Sequence, residues 1–117
     1  MIDGRKLIRS FGYAFCGIVT ACKEQNFKLH LISAVIVLLA GYFTGLSCIE
    51  WFIVLLLIAL VLSLEMMNTA IEKVVDLASP NIHPLAKQAK DIAAGAVLVF
   101  AVFRAIIGLL IFLPKWL

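Results

Sequence analysis

Three long apolar runs in a chain of 117 residues restrict its fold more than any other feature. The runs over 31–49 and 51–64 contain no charged residue, and the run over 92–113 contains only Arg104. A helix needs about 20 predominantly apolar residues to cross a bilayer. We therefore predict membrane-spanning helices over 29–47, 50–71 and 92–113. The second of these must accept polar residues near its end.

Composition agrees with a membrane protein. The chain is 64% hydrophobic and 15% charged, whereas soluble domains are about 25% charged. Its length allows one domain and excludes a two-lobed soluble kinase or a Rossmann enzyme. Neither G-x-x-x-x-G-K-[ST] nor G-x-G-x-x-G occurs, so any nucleotide must be bound without these glycine-rich loops. The three cysteines lack CxxC spacing and are interpreted as apolar filler.

The distribution of positive charge predicts the orientation. Five Lys and Arg residues precede the first run, three lie between the second and third runs, and the turn over 44–50 has none. Short cytoplasmic segments carry an excess of Lys and Arg. We therefore expect the N-terminus and the 72–91 segment to face the cytoplasm.

The N-terminal segment, 1–28, has the pattern of an amphipathic helix. At about 100° per residue, Leu7, Phe11 and Phe15 gather on one arc, opposite Arg5 and Arg9. We predict a helix that lies on the inner membrane interface. Simple anchoring to anionic lipid explains the basic residues, but an acid at position 24 adds nothing to that attraction. Either lipid anchoring alone, or a further role of Glu24 toward a cation or partner, remains open.

Polar side chains form a stripe along the end of the second span. Glu65, Asn68, Thr69, Glu72 and Asp76 share one face of a continuous helix. If the outer membrane boundary lies at residue 50, Glu65 lies ~22 Å from it in a hydrocarbon core of ~30 Å. Glu72 lies ~10 Å further along the helix. The stripe would thus join lipid depth to the cytosol.

Such a stripe suits a reaction between a lipid hydroxyl and a water-soluble donor. Glu65 could act as a general base toward the alcohol. Glu72, together with Glu24, could supply oxygen ligands to Mg²⁺, which is usually held by one or two carboxylates plus substrate phosphates. Lys90 and Asp91 would add a cation and a hydrogen-bonding acid. The alternative is that the acids bridge helices or subunits, although intramembrane ionisable residues are functional by default.

Two further residues receive interpretations from the sequence. The segment over 79–84 contains two prolines and is predicted to be an irregular cytoplasmic connector, in which His83 is a loop residue. Arg104 lies inside the third span, from which it could snorkel toward the outer boundary. We predict that it pairs with Glu50.

Four segments carry a family resemblance: Glu65-Met-Met-Asn-Thr-Ala-Ile-Glu-Lys-Val-Val-Asp76, His83-Pro-Leu-Ala-Lys87, Ala89-Lys-Asp91 and Glu24-Gln-Asn-Phe-Lys28. Together they resemble the small integral-membrane prokaryotic diacylglycerol kinase family, and the undecaprenol kinase branch in particular. The resemblance implies an all-α integral membrane fold, with an N-terminal amphipathic surface helix plus three transmembrane helices. It also implies a homotrimer in the bacterial inner membrane, with sites shared between subunits.

The resemblance implies ATP- and Mg²⁺-dependent phosphorylation of a membrane lipid alcohol, and its undecaprenol kinase branch favours undecaprenol. Glu65 would be the catalytic base, and Asn68 would orient the reacting groups. Glu24 and Glu72 would hold Mg²⁺ with the ATP phosphates. The nucleotide site would further include Lys6, Tyr13, Asn81, Ile82, His83, Lys90 and Asp91. The partners are then the lipid and ATP, with no nucleic acid.

Two alternatives stay open. The acceptor could be diacylglycerol, which would give phosphatidic acid. The protein could instead be a small oligomeric proton-coupled exporter or channel with Glu65 as its ion site, since single intramembrane acids also mark transport pathways. The clustering of acids at the cytoplasmic end rather than at mid-membrane argues against transport.

Overall fold

A computed structural model describes all 117 residues, which form four α-helices and the short segments that join them. They are α1 (Gly4–Ala21), α2 (Gln25–Thr44), α3 (Cys48–Ala78) and α4 (Pro84–Trp116). The last three helices are long and apolar enough to cross a membrane. The predicted class, an N-terminal helix followed by three membrane-length helices, is therefore confirmed.

Helix α1 lies apart from the bundle of the other three helices. Its first turn is capped by the Asp3 side chain, which accepts from the backbone N–H groups of Arg5 and Lys6. Every residue of α1 except Ala21 is exposed, and the helix packs mainly against α3. It ends earlier than the predicted surface segment 1–28, because the chain turns over 22–24 and Gln25 begins α2.

A tight turn joins α2 to α3. Gly45 adopts φ +80°, which favours glycine, and its N–H donates to the Gly41 carbonyl. The side chain of Ser47 accepts from the N–H of Glu50, whose carboxylate accepts from the N–H of Ser47 in return. This reciprocal cap explains why α3 begins at once after the turn.

Helices α2 and α3 pack along a seam with a seven-residue repeat. The buried residues are Phe27, Ala34 and Gly41 in α2, and Val54, Val61 and Asn68 in α3, with Glu65 one turn after Val61. Such spacing is typical of helices that cross at a shallow angle. The seam positions of α3 thus turn from apolar to polar toward its C-terminal half.

The two ends of the bundle differ in chemistry. At the hairpin end, defined by the 45–47 turn and the C-terminus of α4, Val54, Ile111 and Phe112 form the apolar core. The connector end is defined by the link over 79–83 and the start of α2. That link is irregular, as predicted, and the His83 side chain caps α4 by accepting from the N–H of Leu85.

The predicted pairing of Arg104 with Glu50 is wrong. Glu50 lies 2.9 Å from Lys115 Nζ, whereas the Arg104 guanidinium lies 3.2 Å from His30 Nδ1. Because α4 stays helical through Pro114, Lys115 is the cation level with the start of α3. Arg104 lies eleven residues earlier, about 16 Å toward the connector end.

Candidate active site

Glu65 ends a polar contact chain that draws on all three helices of the bundle, with His30 at its centre. It is only 3% exposed, because its position in the α3 seam points it toward α2. His30 of α2 places Nε2 3.5 Å from Glu65 Oε2. The other ring nitrogen, Nδ1, lies 3.2 Å from the Arg104 guanidinium of α4. The carboxylate is therefore removed from the lipid-facing surface of the protomer.

Asn68, one turn further along, contacts an exposed acid. Its Nδ2 donates to Glu72 Oε1 at 3.2 Å. Its Oδ1 is buried and has no hydrogen-bond partner. Glu72 itself is exposed. Burial thus decreases from Glu65 and Asn68 to Glu72 along one helix, and a buried acceptor without a partner lies between the two acids.

Glu24 and Glu72 are the carboxylates that the sequence assigns to a cation. Glu24 ends the turn between α1 and α2, where its Oε1 lies 3.6 Å from Nζ of Lys73, the residue after Glu72. No group of three or more His, Cys, Asp and Glu side chains is arranged to hold a metal. Glu72 bonded to Asn68, and Glu24 against the next residue Lys73, nevertheless supply the oxygen ligands that Mg²⁺ takes, and the ion completes its shell with substrate phosphates and water.

A polar cavity of ≈ 330 Å³ occupies the connector end. It contains five of the predicted nucleotide residues, and its polar lining includes Asp76, Asn81, His83, Lys87, Lys90 and Asp91. Two ion pairs line it, Lys90 with Asp76 and Lys87 with Asp91, the latter at 2.5 Å. Both lysines are at least partly exposed. The cavity therefore offers two cations to an anionic ligand, at the cost of breaking weak exposed pairs.

Lys6 and Tyr13 are not brought to this cavity within one protomer. Both lie on α1, both are exposed, and neither lines the cavity. Ile82 does line it, although its side chain is fully exposed. Apart from Glu24 and Glu72, seven residues were predicted to bind the nucleotide. A single chain thus brings five of these seven together at the cavity.

An apolar groove of ≈ 380 Å³ runs along the bundle between Arg104 and Trp116. Eleven of its fourteen lining residues are hydrophobic, Val61 among them. Val61 precedes Glu65 by one turn on the same face of α3. The groove therefore approaches the buried acid from the hairpin side.

Sequence reasoning missed His30 as a site residue and assigned Arg104 to the wrong end. A signal existed, since an ionisable residue inside an apolar span requires a polar partner at its own depth. Depth counted along one helix does not identify that partner, because it depends on how the helices are offset against each other. Only the packed bundle aligns His30, Glu65 and Arg104.

Comparison with known proteins identifies the family. The sequence model described as prokaryotic diacylglycerol kinase matches residues 12–112. The chain belongs to this family. The resemblance predicted from the sequence is confirmed, and with it a membrane protein of a bacterial lipid kinase family.

Relatives within the prokaryotic diacylglycerol kinase family carry two names. An undecaprenol kinase of Bacillus subtilis is 56% identical over 111 residues, covering 94% of this chain and 90% of the relative. A diacylglycerol kinase of Synechocystis is 42% identical over 95% of this chain and 65% of its own length. A diacylglycerol kinase of Helicobacter pylori strain J99 is 35% identical over 88% of this chain and 81% of its own length.

Membership determines the general chemistry. The protein is a lipid kinase, with a membrane lipid as acceptor and ATP as co-substrate. A kinase needs a group that receives the acceptor proton and groups that neutralise the phosphates. The buried carboxylate of Glu65 is a group of the first kind, and the lysines of the polar cavity are groups of the second kind.

Proposed function

We propose that the protein phosphorylates undecaprenol to undecaprenyl phosphate with ATP and Mg²⁺. The 56% identity to the Bacillus subtilis undecaprenol kinase favours this acceptor. Diacylglycerol is the second candidate, because the relatives at 42% and 35% identity are named diacylglycerol kinases.

The observation that carries the proposal is the position of Glu65. It is buried in the α2–α3 seam, one helical turn from Asn68 and two turns from the exposed Glu72. The carboxylate is shielded from water, and exposed acids follow it on the same face of the helix. This placement fits a base that meets an alcohol from the lipid phase and a nucleotide from the aqueous phase.

The reaction then proceeds in one displacement. The lipid hydroxyl loses its proton to a Glu65 carboxylate oxygen as its oxygen attacks the γ-phosphorus of ATP. The bond from that phosphorus to the bridging oxygen of ADP breaks, and ADP leaves. Lys90 and Lys87, which line the polar cavity, offset charge on the phosphates. Asn68 orients Glu72 through the hydrogen bond that it donates.

Glu24 and Glu72 would hold Mg²⁺ together with the ATP phosphates. The ion supplies neutralisation of phosphate charge when bound. Glu72 already accepts from Asn68 through Oε1, which leaves its other oxygen for a ligand. Lys73 beside Glu24 keeps that carboxylate at the start of α2.

The apolar groove is a suitable place for the hydrocarbon chain of the lipid. Its hydrophobic lining runs toward the hairpin end, and Val61 lies one turn from Glu65. A prenyl or acyl chain lying there would direct its hydroxyl toward the base. The same arrangement serves either candidate acceptor, because both present a hydroxyl at the end of long hydrocarbon.

A homotrimer in the inner membrane, with the connector end cytoplasmic, completes the proposal. Lys and Arg cluster at that end, as the positive-inside rule requires. The outer faces of α2 and α4 expose many large apolar side chains that lipid or other subunits would cover. Lys6 and Tyr13, which do not line the cavity of their own protomer, would then reach the site of a neighbour.

A competition assay tests which lipid is the acceptor. The purified protein in lipid bicelles receives labelled ATP, Mg²⁺ and equal amounts of undecaprenol and diacylglycerol. We expect label mainly in undecaprenyl phosphate. Label mainly in phosphatidic acid would instead establish the second candidate.

Glu65→Gln should lower turnover at least 100-fold, since general bases contribute about 10²–10⁴-fold, while binding of an ATP analogue is retained. Lys115→Met, at the far end of the bundle, is the matched control and should remain active. Near-normal turnover of Glu65→Gln would contradict its role as base. Ion flux through vesicles without ATP consumption would favour the transport alternative.

A further inference from the structure

The chain of contacts from Arg104 through His30 to Glu65 determines which histidine nitrogen carries the proton. A guanidinium has only N–H donors and no acceptor. Its 3.2 Å contact with His30 Nδ1 therefore requires that nitrogen to accept. In a neutral imidazole the other nitrogen must then carry the hydrogen. The Nε2–H group is the one that lies 3.5 Å from Glu65 Oε2.

We propose that Arg104 and His30 are positioning residues that orient the Glu65 carboxylate, with Arg104 selecting the Nε2–H tautomer of His30. This inference rests on the proposed role of Glu65 as base. The ring Nε2–H faces Oε2 across 3.5 Å, and Oε1 receives the proton of the lipid hydroxyl. Arg104 lines the apolar groove but makes no contact with Glu65, and it acts on the carboxylate through the ring.

Burial makes this arrangement specific. Glu65 and Asn68 are both buried, and His30 is mostly so, with its side chain 15% exposed. Few water molecules can therefore substitute for a lost ring contact. A carboxylate in such a seam that loses its orienting donor can rotate, and misplacing a reacting group by about 1 Å can cost about 100-fold in rate.

Three substitutions at Arg104 separate tautomer selection from packing. Lysine keeps a cation that only donates, so Arg104→Lys should retain most activity. Arg104→Gln has similar polarity, but its amide can also accept, so both tautomers become available. Arg104→Met removes the polar contact. We expect kcat to fall about tenfold in the last two variants, as partners of site residues usually cost 10–100-fold. KM for ATP should change less than twofold in both.

The tautomer itself can be measured. The chain has only two histidines, so ¹⁵N–¹H correlation spectra of histidine-labelled protein in bicelles are easily assigned with a His83→Gln variant. We expect the Nε2–H tautomer for His30 in the wild type and in Arg104→Lys, and a mixture in Arg104→Gln and Arg104→Met. Lys115→Met, which removes the α4 cation that pairs with Glu50 at the hairpin end, should keep wild-type spectra and kcat.

The His30→Gln variant, which lacks the imidazole ring, tests the same claim. In His30→Gln the amide nitrogen can donate to Glu65 whatever its neighbour is, so adding Arg104→Met should cost less than twofold in kcat. An Nδ1–H or doubly protonated His30 in the wild type would overturn the proposal. So would equal loss in all three Arg104 variants, or full kcat in Arg104→Met. Failure of the proposed function is distinct from these outcomes, since it would show as turnover by Glu65→Gln, whereas the tautomer is read without turnover.

Discussion

The polar side chains of the hairpin end and the buried polar side chains of α3 toward the connector end differ in how closely they are partnered. At the hairpin end Glu50 has close partners in Ser47 and Lys115, and Trp116 donates to Thr44 at 2.9 Å. Toward the connector end Asn68 Oδ1 is buried without a partner. Glu65 is held by a longer contact of 3.5 Å.

The difference teaches which end serves stability and which serves chemistry. Buried polar groups are almost always hydrogen-bonded, so an exception in a well-packed helix needs a reason. Natural proteins leave such exceptions mainly at functional sites and compensate elsewhere. Here the compensation lies at the hairpin end, where Val54, Ile111 and Phe112 form the apolar core. Substitutions at the connector end should therefore affect activity more than stability, and those at the hairpin end the reverse.

The largest difference between the effect on activity and the effect on stability is expected at Asn68. Asn68→Leu removes the hydrogen bond to Glu72, and we expect turnover to fall about 100-fold because Glu72 loses the donor that orients it. It also removes a buried acceptor that has no partner, so the thermal unfolding midpoint in micelles should stay the same or rise. Both quantities can be measured on the same purified samples.

Ser63→Leu provides the control for Asn68→Leu. Ser63 is an exposed residue of the same helix, so the change adds the same side chain without touching the site. Turnover and midpoint should both remain near wild type. A large loss of stability in Asn68→Leu would show that Asn68 serves the fold, and the contrast between the two ends would no longer hold.

The reverse behaviour is expected at Gly41, in the hairpin end. A Cβ there would lie 2.9 Å from both Leu46 Cδ1 and Trp51 Cη2, and overpacking of this kind costs about 1–3 kcal/mol. Gly41→Ala should lower the unfolding midpoint, while turnover per folded molecule stays within twofold. Gly12→Ala, where a Cβ meets nothing within 4 Å, should not lower the midpoint. Loss of turnover in Gly41→Ala without loss of stability would contradict the assignment.

Much of the fold could be predicted from the sequence because it depends on local patterns. Apolar runs of bilayer length, the glycine at position 45 and the two prolines around 80–84 are each readable from a few neighbouring residues. The stripe on α3 is equally local, since residues three and four apart share a helix face. These features set the helix order and the position of the polar end of α3.

The contacts of single residues with other helices could not be predicted in the same way. Arg104 pairs with His30, which is 74 residues distant in sequence, and their meeting depends on the offset between α2 and α4. Depth counted from one boundary carries an error of several residues, enough to exchange one partner for another. The end of α1 at Ala21 depends likewise on where the chain must turn to begin α2.

The smallest predicted effect tests the corrected pairing of Glu50. Its side chain is 23% exposed and that of Lys115 is 31% exposed, so the pair is partly screened. A double-mutant cycle of Glu50→Gln with Lys115→Met should give a small favourable coupling in the free energy of unfolding, outside the error of the measurement. Glutamine can still close the capping box with Ser47, so the cycle isolates the ion pair. The matched cycle of Glu50→Gln with Arg104→Met should be additive within about 0.3–0.5 kcal/mol, because the residues are not in contact. Coupling in the second cycle and not the first would restore the pairing with Arg104 and place that cation at the hairpin end, away from Glu65.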